Sequence, residues 1–251
     1  EDLATFSGQD NWDDEELWNY EVGSKSTVMG GRGTFNIALY YIDITDLQAT
    51  ITAGSCSSRL VFNVPDSQSS GIELEFAAAP SQNFDFAVSA SFNDSELQSE
   101  AAGNISGISK GNRLPTVPEF QMAAAATYQW VMSNGRLGFV TGTYQHVGSR
   151  FTQVGDHAAG FGTVDLLTFP GVIGGPLTQT TFTFNPELPA YDLVNLRIGV
   201  SSDTWEVALF ANNVTDEIAF LALDQERGSR ARVGYLTNQP RTFGVTTRLK
   251  F

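Results

Sequence analysis

Few residues in this sequence have the types and spacing that catalysis or metal binding requires. The two histidines, His146 and His157, have neither a neighbouring cysteine nor the H-x-x-x-H spacing of a helical zinc site. The stretch GDHAAG (155–160) places an aspartate beside a histidine, but no G-x-S-x-G nucleophile sequence accompanies it. The glycine-rich stretch 160–175 lacks the G-x-x-x-x-G-K-[S/T] pattern of a phosphate loop. We therefore expect that the chain is not an enzyme and that it binds neither a metal nor a cofactor.

Aromatic side chains outside the regular segments are better candidates for a binding site. Aromatic rings with a few polar groups suit a bulky ligand, although scattered rings can also be ordinary loop packing. The candidate ligand-binding residues are Trp12, Phe151, His157, Phe161, Phe169, Phe182 and Tyr235.

The charge balance restricts the partners. The net charge of -14 leaves few of the clustered lysines and arginines that phosphate contacts need, so we expect no nucleic-acid partner. Acidic residues gather at 13–16, either as a solvated loop or as a site for a cation or cationic ligand. The single cysteine, Cys56, cannot form an internal disulfide.

Alternation of apolar and polar residues predicts strands that separate two environments. In FDFAVSASF (84–92), Phe84, Phe86 and Val88 share one face and Asp85 and Ser89 the other. Comparable extended segments give nine predicted strands: 17–27, 34–51, 71–78, 84–92, 119–130, 136–148, 191–200, 205–212 and 241–251. The fold is therefore predicted to be all-β.

The connections between these strands alternate in length. Turns at 29–33, 80–83, 132–135 and 201–204 are short, whereas polar stretches at 52–70, 94–118, 149–188 and 214–240 are long. Short turns at one end and long loops at the other are typical of an antiparallel transmembrane β-barrel of an outer membrane. The inward polar face of such a barrel would line the lumen or contact a plug; it would include Glu73, Glu75, Asp85, Arg197, Glu206 and Arg248.

The strand count has a further implication. The last strand ends on the short-turn side, so with nine strands the first begins on the long-loop side. Complete bacterial barrels normally have an even strand number and both termini in the periplasm. We therefore expect residues 1–251 to be the C-terminal portion of a single barrel domain, with the first barrel strands absent.

Seven segments, in order, resemble the C-terminal barrel of TonB-dependent outer-membrane receptors. They are LWNYEVGSKS, GRGTFNIALYYIDITDLQ, SSGIELEFAAAPSQNFDFAVSASFNDSEL, GNRLPTVPEFQMAAAATY, YDLVNLRIGV, VALFANNVTDE and PRTFGVTTRLKF. The resemblance implies a barrel of about 22 strands with a plugged lumen, located in the outer membrane of a Gram-negative bacterium. It also implies import of a scarce nutrient, such as siderophore-bound iron, cobalamin or an oligosaccharide, through energy-coupled rearrangement of the plug.

The same resemblance implies partners. These are outer-membrane lipid, the N-terminal plug domain with the remaining strands, the periplasmic energy-coupling protein TonB, and the barrel assembly machinery. The plug lies in the N-terminal half in this family and is absent from this sequence. Family barrels end on an aromatic residue that the assembly machinery is thought to read, which gives Phe251 and Leu249 an assembly-signal role; a ring at the membrane interface is the alternative.

Two other functions remain open at this stage. A passive porin-like or structural outer-membrane barrel keeps the fold but lacks a plug. The other is a soluble, secreted β-sandwich that binds carbohydrate. The apolar outward faces and the separation of short turns from long loops argue against it, and solubility as a monomer without detergent would favour it.

Overall fold

A computed structural model describes residues 11–52, 59–100, 108–157, 162–165, 181–226 and 232–249. The first six strands are β1 (Glu16–Val28), β2 (Gly33–Thr52), β3 (Arg59–Ser81), β4 (Phe84–Leu97), β5 (Phe120–Val131) and β6 (Leu137–Val147). Four short strands follow: β7 (Arg150–Phe151), β8 (Thr163–Asp165), β9 (Thr181–Thr183) and β10 (Glu187–Leu188). The last five are β11 (Tyr191–Ser201), β12 (Trp205–Asn212), β13 (Phe220–Glu226), β14 (Arg232–Thr237) and β15 (Thr242–Leu249). None of these described residues forms a helix long and apolar enough to cross a membrane.

One antiparallel sheet of nine strands dominates the structure. Its order is β1-β2-β3-β4-β5-β6-β11-β12-β15, so every long strand pairs with its neighbours along the chain. The nine strands predicted from alternation are the nine strands of this sheet, which confirms the all-β prediction. The smaller pairs β7–β10, β8–β9 and β13–β14 lie in the two longest connections.

The prediction of a polar loop at 52–70 was wrong for residues 59–70, which belong to β3, whereas 53–58 lie outside the described residues. Strand β3 begins at Arg59 and pairs with β2 from Thr52↔Arg59 to Gly33↔Ala78. The alternation is interrupted where Asp46 adopts a positive φ of 54° opposite Pro65, which has no N–H for the ladder. On one side of this point even positions of β2 are buried, such as Ile44; on the other side odd positions are, such as Ala49. A strand that exchanges its faces does not show a period of two.

The apolar face of the sheet carries two rows of aromatic side chains. The turn-side row consists of Phe35, Phe76, Phe84, Phe86, Tyr128 and Trp130, several of them in ring contact. The loop-side row consists of Trp18, Tyr20, Tyr41, Phe92 and Phe120. On β4, Phe84 and Phe92 of the two rows are eight residues apart, or roughly 27 Å along the strand. At the tilt of about 40° that is usual for barrel strands, this is a height of about 20 Å, close to the apolar band between the aromatic girdles of an outer-membrane barrel.

The opposite face is polar and concave. One hollow on this face is lined by residues of six consecutive strands, from Asn36 of β2 to Asn195 of β11, so the sheet must curve toward it. Pairing places Glu75 opposite Asn36 and Ser89, and Asn36 donates a hydrogen bond to Glu75 (3.1 Å). Apolar residues on the convex face remain exposed, including Leu209 at 57%. The curved sheet therefore has a lipid-compatible outer surface and a hydrated inner surface.

Aromatic rings lie over glycines of neighbouring strands at several positions. On the concave face, the Tyr40 ring occupies the space that a Cβ at Gly71 would need, and Asn93 donates a hydrogen bond to its hydroxyl. The Phe139 ring covers Gly199 in the same way. Because glycine leaves the backbone uncovered and adds no side chain, a flat ring can pack onto the ladder and stabilise the pairing.

We expect arginine to be tolerated on one face only. Val88→Arg places a charge between the two aromatic rows and should cost on the order of 2 to 4 kcal/mol, whereas Ser89→Arg on the concave face should cost about 1 kcal/mol or less. Urea unfolding of the full-length protein in phospholipid vesicles measures both. Equal destabilisation by the two changes would contradict the assignment of faces.

We also expect Gly71→Ala to be destabilising because the new Cβ meets the Tyr40 ring and the Phe92 carbonyl. The loss should be on the order of 1 to 3 kcal/mol in the same vesicle titration. Gly234→Ala in β14 is the matched control, since its Cβ meets nothing within 4 Å. A Gly71→Ala protein as stable as the control would show that the ring is not held over the ladder.

Candidate functional site

Long connections fold across the concave side at the loop end of the sheet. The 3-10 turn Val154–His157 follows β6 but packs against β2, four positions away in the sheet order. We use the name loop assembly for residues 108–119, 148–157, 213–226 and 232–241. The loop assembly forms a partial roof over the concave face.

An apolar cluster holds this roof to the sheet. Val154 (1% exposed) and Ile108 (2%) pack against residues of the sheet. The sheet residues of the cluster are Ala49, Phe62, Val64 and Leu97, with Leu47 packed against them. Complete burial of such side chains stabilises by about 1.5 to 3 kcal/mol each, which is enough to fix loops that have little regular structure.

Two neighbouring residues connect the loops through hydrogen bonds. Asn112, 7% exposed, donates from Nδ2 to the Val154 carbonyl (2.6 Å). The Arg113 guanidinium donates to the carbonyls of Ser149 (2.8 Å) and Val117 (3.3 Å) and lies 3.4 Å from the Glu119 carboxylate. Both side chains thus satisfy backbone groups of loops that are far apart in sequence.

Two of the predicted ligand-binding residues are brought together by the loop assembly. The rings of Phe151 and His157 are 3.7 Å apart between centroids, and the Arg113 guanidinium lies 5.9 Å from the Phe151 ring. His157 Nε2 accepts a hydrogen bond from the Arg113 backbone N–H (3.3 Å), which requires the unprotonated ring nitrogen. Burial, and to a smaller extent the Arg113 cation, lower the pKa of His157, while Glu187 opposes this shift.

A second arginine joins the two longest connections. Arg150 is only 6% exposed and donates from Nη2 to the carbonyls of Phe220 and Leu221, both at 3.1 Å. Its guanidinium lies 5.4 Å from the Tyr191 ring. Among the described residues, its Nη1 finds no hydrogen-bond partner.

The foot of the β13–β14 hairpin is fixed by asparagine side chains. Asn213, in a left-handed conformation with φ of 50°, donates to the carbonyls of Glu217 (2.8 Å) and Gln239 (3.1 Å). Asn238 donates to the Glu217 carbonyl and accepts from the Ala219 N–H. These hydrogen bonds hold the two ends of the hairpin together beside the end of β12.

A cavity of about 520 Å³ lies where β2, β13 and the other loops meet. We call it the loop pocket. Its apolar wall includes Leu47, Leu114, Val154 and Leu223, and the polar residues at its edge include Gln153 and Asp224. This volume lies within the range of small-molecule sites in proteins.

The other predicted ligand-binding residues are dispersed. Trp12 is 59% exposed and belongs to the N-terminal segment. Tyr235 stacks on Phe220 (4.5 Å) and donates to the Asn185 carbonyl (2.8 Å); its burial raises the pKa of its hydroxyl. Phe161 and Phe169 lie outside the described residues, and Phe182 lies in β9 with a side chain that is also outside them.

The six predicted lumen-facing residues share the concave face by register. Glu73 and Glu75 pair with Ser91 and Ser89. The remaining four are Asp85, Arg197, Glu206 and Arg248; Arg197 forms an ion pair with Glu206 at 2.7 Å, and Glu206 pairs with Arg248 across β12–β15. Contact with a plug stays a prediction.

The predicted assembly signal lies at the end of the last strand. Leu249 ends β15, and Phe251 lies outside the described residues. The assembly role of both residues stays a prediction.

Histidine 146 lies away from the loop pocket, on the convex face. Its Nδ1 is 2.9 Å from the Asp192 carboxylate, which also accepts a hydrogen bond from the Tyr144 hydroxyl (2.6 Å). The His146 ring packs on Phe120 of the loop-side row. Within the described ranges, no three His, Cys, Asp or Glu side chains converge as metal ligands would.

Sequence reasoning missed Arg113, Arg150 and the apolar wall of the loop pocket. The two arginines lie in polar stretches without periodicity, and their partners are backbone carbonyls that no side-chain pattern records. Their only signal is that the chain has just 14 lysines and arginines, so an arginine in a long loop is uncommon here.

Residues 3–214 match the family described as TonB dependent receptor-like, beta-barrel. The chain belongs to this family.

Solved structures of receptors and transporters share the fold of this TonB-dependent receptor barrel. The ferric yersiniabactin uptake receptor FyuA from Yersinia pestis superposes with a TM-score of 0.69 at 17% identity, over 94% of this chain and 30% of that one. The closed form of the ferric-catecholate import receptor Fiu from E. coli K12 superposes with a TM-score of 0.62 at 15% identity, over 96% of this chain and 28% of that one. The copper transporter OprC superposes with a TM-score of 0.62 at 12% identity, over 97% of this chain and 32% of that one.

The chain thus spans about 30% of the length of these relatives. The family consists of outer-membrane receptors and transporters, which agrees with the two-faced sheet and contradicts a soluble β-sandwich. At these identities the likeness shows the fold alone, so the cargo of the relatives does not identify the cargo of this protein.

The low pKa of His157 predicts a pH dependence of the loop assembly. Because the folded form favours the neutral ring, its stabilising contribution is present above the ordinary histidine pKa of about 6.5 and decreases as pH falls through that value. Hydrogen exchange of 108–119 and 150–157 in the full-length protein, corrected for intrinsic rates, should show less protection at pH 5.5 than at 7.5. His157→Phe keeps a ring against Phe151 and should abolish the difference; a pH effect that persists in this variant would exclude His157 as its cause.

Proposed function

We propose that this chain is the C-terminal portion of the barrel of an outer-membrane, TonB-dependent receptor that imports a scarce nutrient. The supporting observation is the combination of a polar concave wall with a partial roof of loops that lines a pocket at one end. A passive pore needs a wet wall but no pocket above it. The family assignment of residues 3–214 supports a receptor as well.

The cargo class follows from the relatives only in outline. Three of them are a ferric yersiniabactin uptake receptor, a ferric-catecholate import receptor and a copper transporter. We propose a metal chelate such as siderophore-bound iron, with cobalamin and an oligosaccharide as further candidates. The Phe151–His157 ring pair and the loop pocket are the parts of this chain that would take part in capture.

In the proposed mechanism, this chain and the rest of the protein carry out different steps of transport. The loop assembly captures the ligand at the extracellular side, and an N-terminal plug closes the lumen. TonB transmits energy from the inner membrane, the plug rearranges, and the ligand leaves into the periplasm. The concave face, with Glu75, Ser89 and the Arg197–Glu206 pair, offers a hydrated surface along which a polar ligand can pass.

Uptake measurements test this proposal. A strain that lacks the gene, complemented with the full-length gene, should grow on a limiting iron chelate and accumulate radioactive iron from it. A protonophore should abolish this uptake, because energy reaches the receptor through the inner membrane. Undiminished uptake with the protonophore would instead show a passive barrel, and growth tests on several iron and carbon sources would identify the cargo.

A further inference from the structure

A shallow apolar groove of about 580 Å³ runs over the middle of the convex face of the sheet. Its floor consists of Ala124 and Ala126 of β5 and Gly142 of β6, and its walls come from Phe86 of β4 and Val194 of β11. Pairing places Phe86 beside Ala126 and Ala126 beside Gly142, so two adjacent strands present small residues between bulky ones. We call this feature the outer groove; its volume lies within the range of small-molecule sites in proteins.

The outer groove follows the strands from the turn-side aromatic row almost to the loop-side row. It reaches from Phe84 to Tyr144, which precedes His146 by one position on the convex face of β6. Because the long loops of an outer-membrane barrel are extracellular, the loop-side end of the groove lies at the headgroup level of the outer leaflet. An acyl chain that begins at this level would extend along the groove toward the middle of the bilayer.

Four side chains on consecutive strands form a row across the loop-side end of the groove. The Phe92 and Phe120 rings stack with their centroids 4.5 Å apart, and the Phe120 ring lies 5.4 Å from the His146 ring. His146 Nδ1 lies 2.9 Å from Oδ1 of Asp192, which is its partner in the pairing of β6 with β11. We call Phe92, Phe120, His146 and Asp192 the rim row. It places three flat rings beside one carboxylate.

The carboxylate of the rim row can accept a further hydrogen bond from outside the protein. An ionised carboxylate only accepts, so His146 Nδ1 carries a proton and donates it to Asp192, as the Tyr144 hydroxyl does at 2.6 Å. Both bonds end on Oδ1, and the Asp192 side chain is 56% exposed. Within the described residues, Oδ2 therefore remains as an acceptor for an N–H or O–H donor of a headgroup.

The convex face does not offer cations for an anionic headgroup. By register, the described lysine and arginines of the nine sheet strands between the aromatic rows, Lys25, Arg197 and Arg248, lie on the concave face. Recognition of phosphate headgroups uses clustered basic side chains, so the rim row does not fit a phosphate. A carboxylate beside aromatic rings fits a sugar, because sugar hydroxyls donate to the carboxylate while the C–H face of the sugar packs on a ring.

We propose that the outer groove and the rim row together bind one glycolipid of the outer leaflet. An acyl chain lies over Ala124, Ala126 and Gly142, and the sugar donates hydrogen bonds to Asp192. This lipid site lies on the opposite face of the sheet from the loop pocket. It goes beyond the proposed receptor function and would equally apply to a passive barrel.

Retention of lipids by the purified, delipidated full-length protein tests the choice of headgroup. Three probes share dipalmitoyl chains: monoglucosyl diacylglycerol, phosphatidylglycerol and phosphatidylethanolamine. Native mass spectrometry should show the glucosyl lipid retained at least about fivefold more than either phospholipid, because it alone brings sugar hydroxyls to the carboxylate. Equal retention of the three lipids, or a preference for either phospholipid, would overturn the proposal.

Removal of the carboxylate charge provides the matched comparison. Asp192→Asn keeps the size of the side chain and should lower retention of the glucosyl lipid at least about fivefold, because charge-assisted hydrogen bonds to the sugar are lost. Asp43→Asn makes the same change on the convex face of β2, outside the rim row, and should have no effect. Equal retention by the two variants would show that Asp192 does not bind the sugar.

Photochemical labelling tests the position of the acyl chain. A glucosyl lipid with a diazirine in one acyl chain should label peptides 120–131 and 137–147 of the full-length protein in phosphatidylcholine vesicles. Ala126→Phe fills the floor of the groove and should reduce this labelling at least about fivefold, with circular dichroism to verify the fold. Ala211→Phe, on the convex face of β12 away from the groove, is the control. Labelling of the unsubstituted protein spread evenly over the convex strands would contradict a defined lipid site.

Discussion

The structure depends on the requirement that a wall between hydrocarbon and water satisfies every backbone N–H and C=O group within itself. The nine-stranded antiparallel ladder meets this requirement for the seven inner strands, without a described helix of membrane-spanning length. Strands β1 and β15 each pair with only one described strand. In the proposed receptor, the remaining barrel strands supply the partners of these two edges.

This requirement also explains why the strict alternation of apolar and polar residues ends near the loop end of the sheet. Within the membrane one face must be apolar, so alternation is strict between the two aromatic rows. Beyond the loop-side row both faces meet water or protein, and the strands can exchange faces at Asp46 and Pro65. The exchange directs Leu47 and Ala49 toward the concave side, where Val154 packs on them. The roof therefore forms where the membrane no longer dictates the pattern.

The same boundary separates what the sequence predicted from what it did not. The strands between the aromatic rows were predicted because lipid imposes a period of two, as in Phe84 to Phe92. Half of β3 was missed because its faces exchange at Pro65. Of the loop candidates, Phe151 and His157 came together whereas Trp12 lies apart, since no local pattern encodes which loops meet. The role of Arg113 was not predicted because its hydrogen-bond partners are backbone carbonyls up to 36 residues away.

The relatives share one fold but are named for different cargo. TM-scores of 0.62 to 0.69 at 12 to 17% identity mean that the ladder accepts many sequences, provided that each strand keeps one apolar and one polar face. The wall therefore carries little information about the ligand. Charge and shape at the roof, where Leu47, Leu114 and Leu223 line the loop pocket, are free of the lipid constraint. In the proposed receptor, the contribution of this chain to ligand choice comes from the loop assembly, since the strands between the aromatic rows are already specified by the membrane.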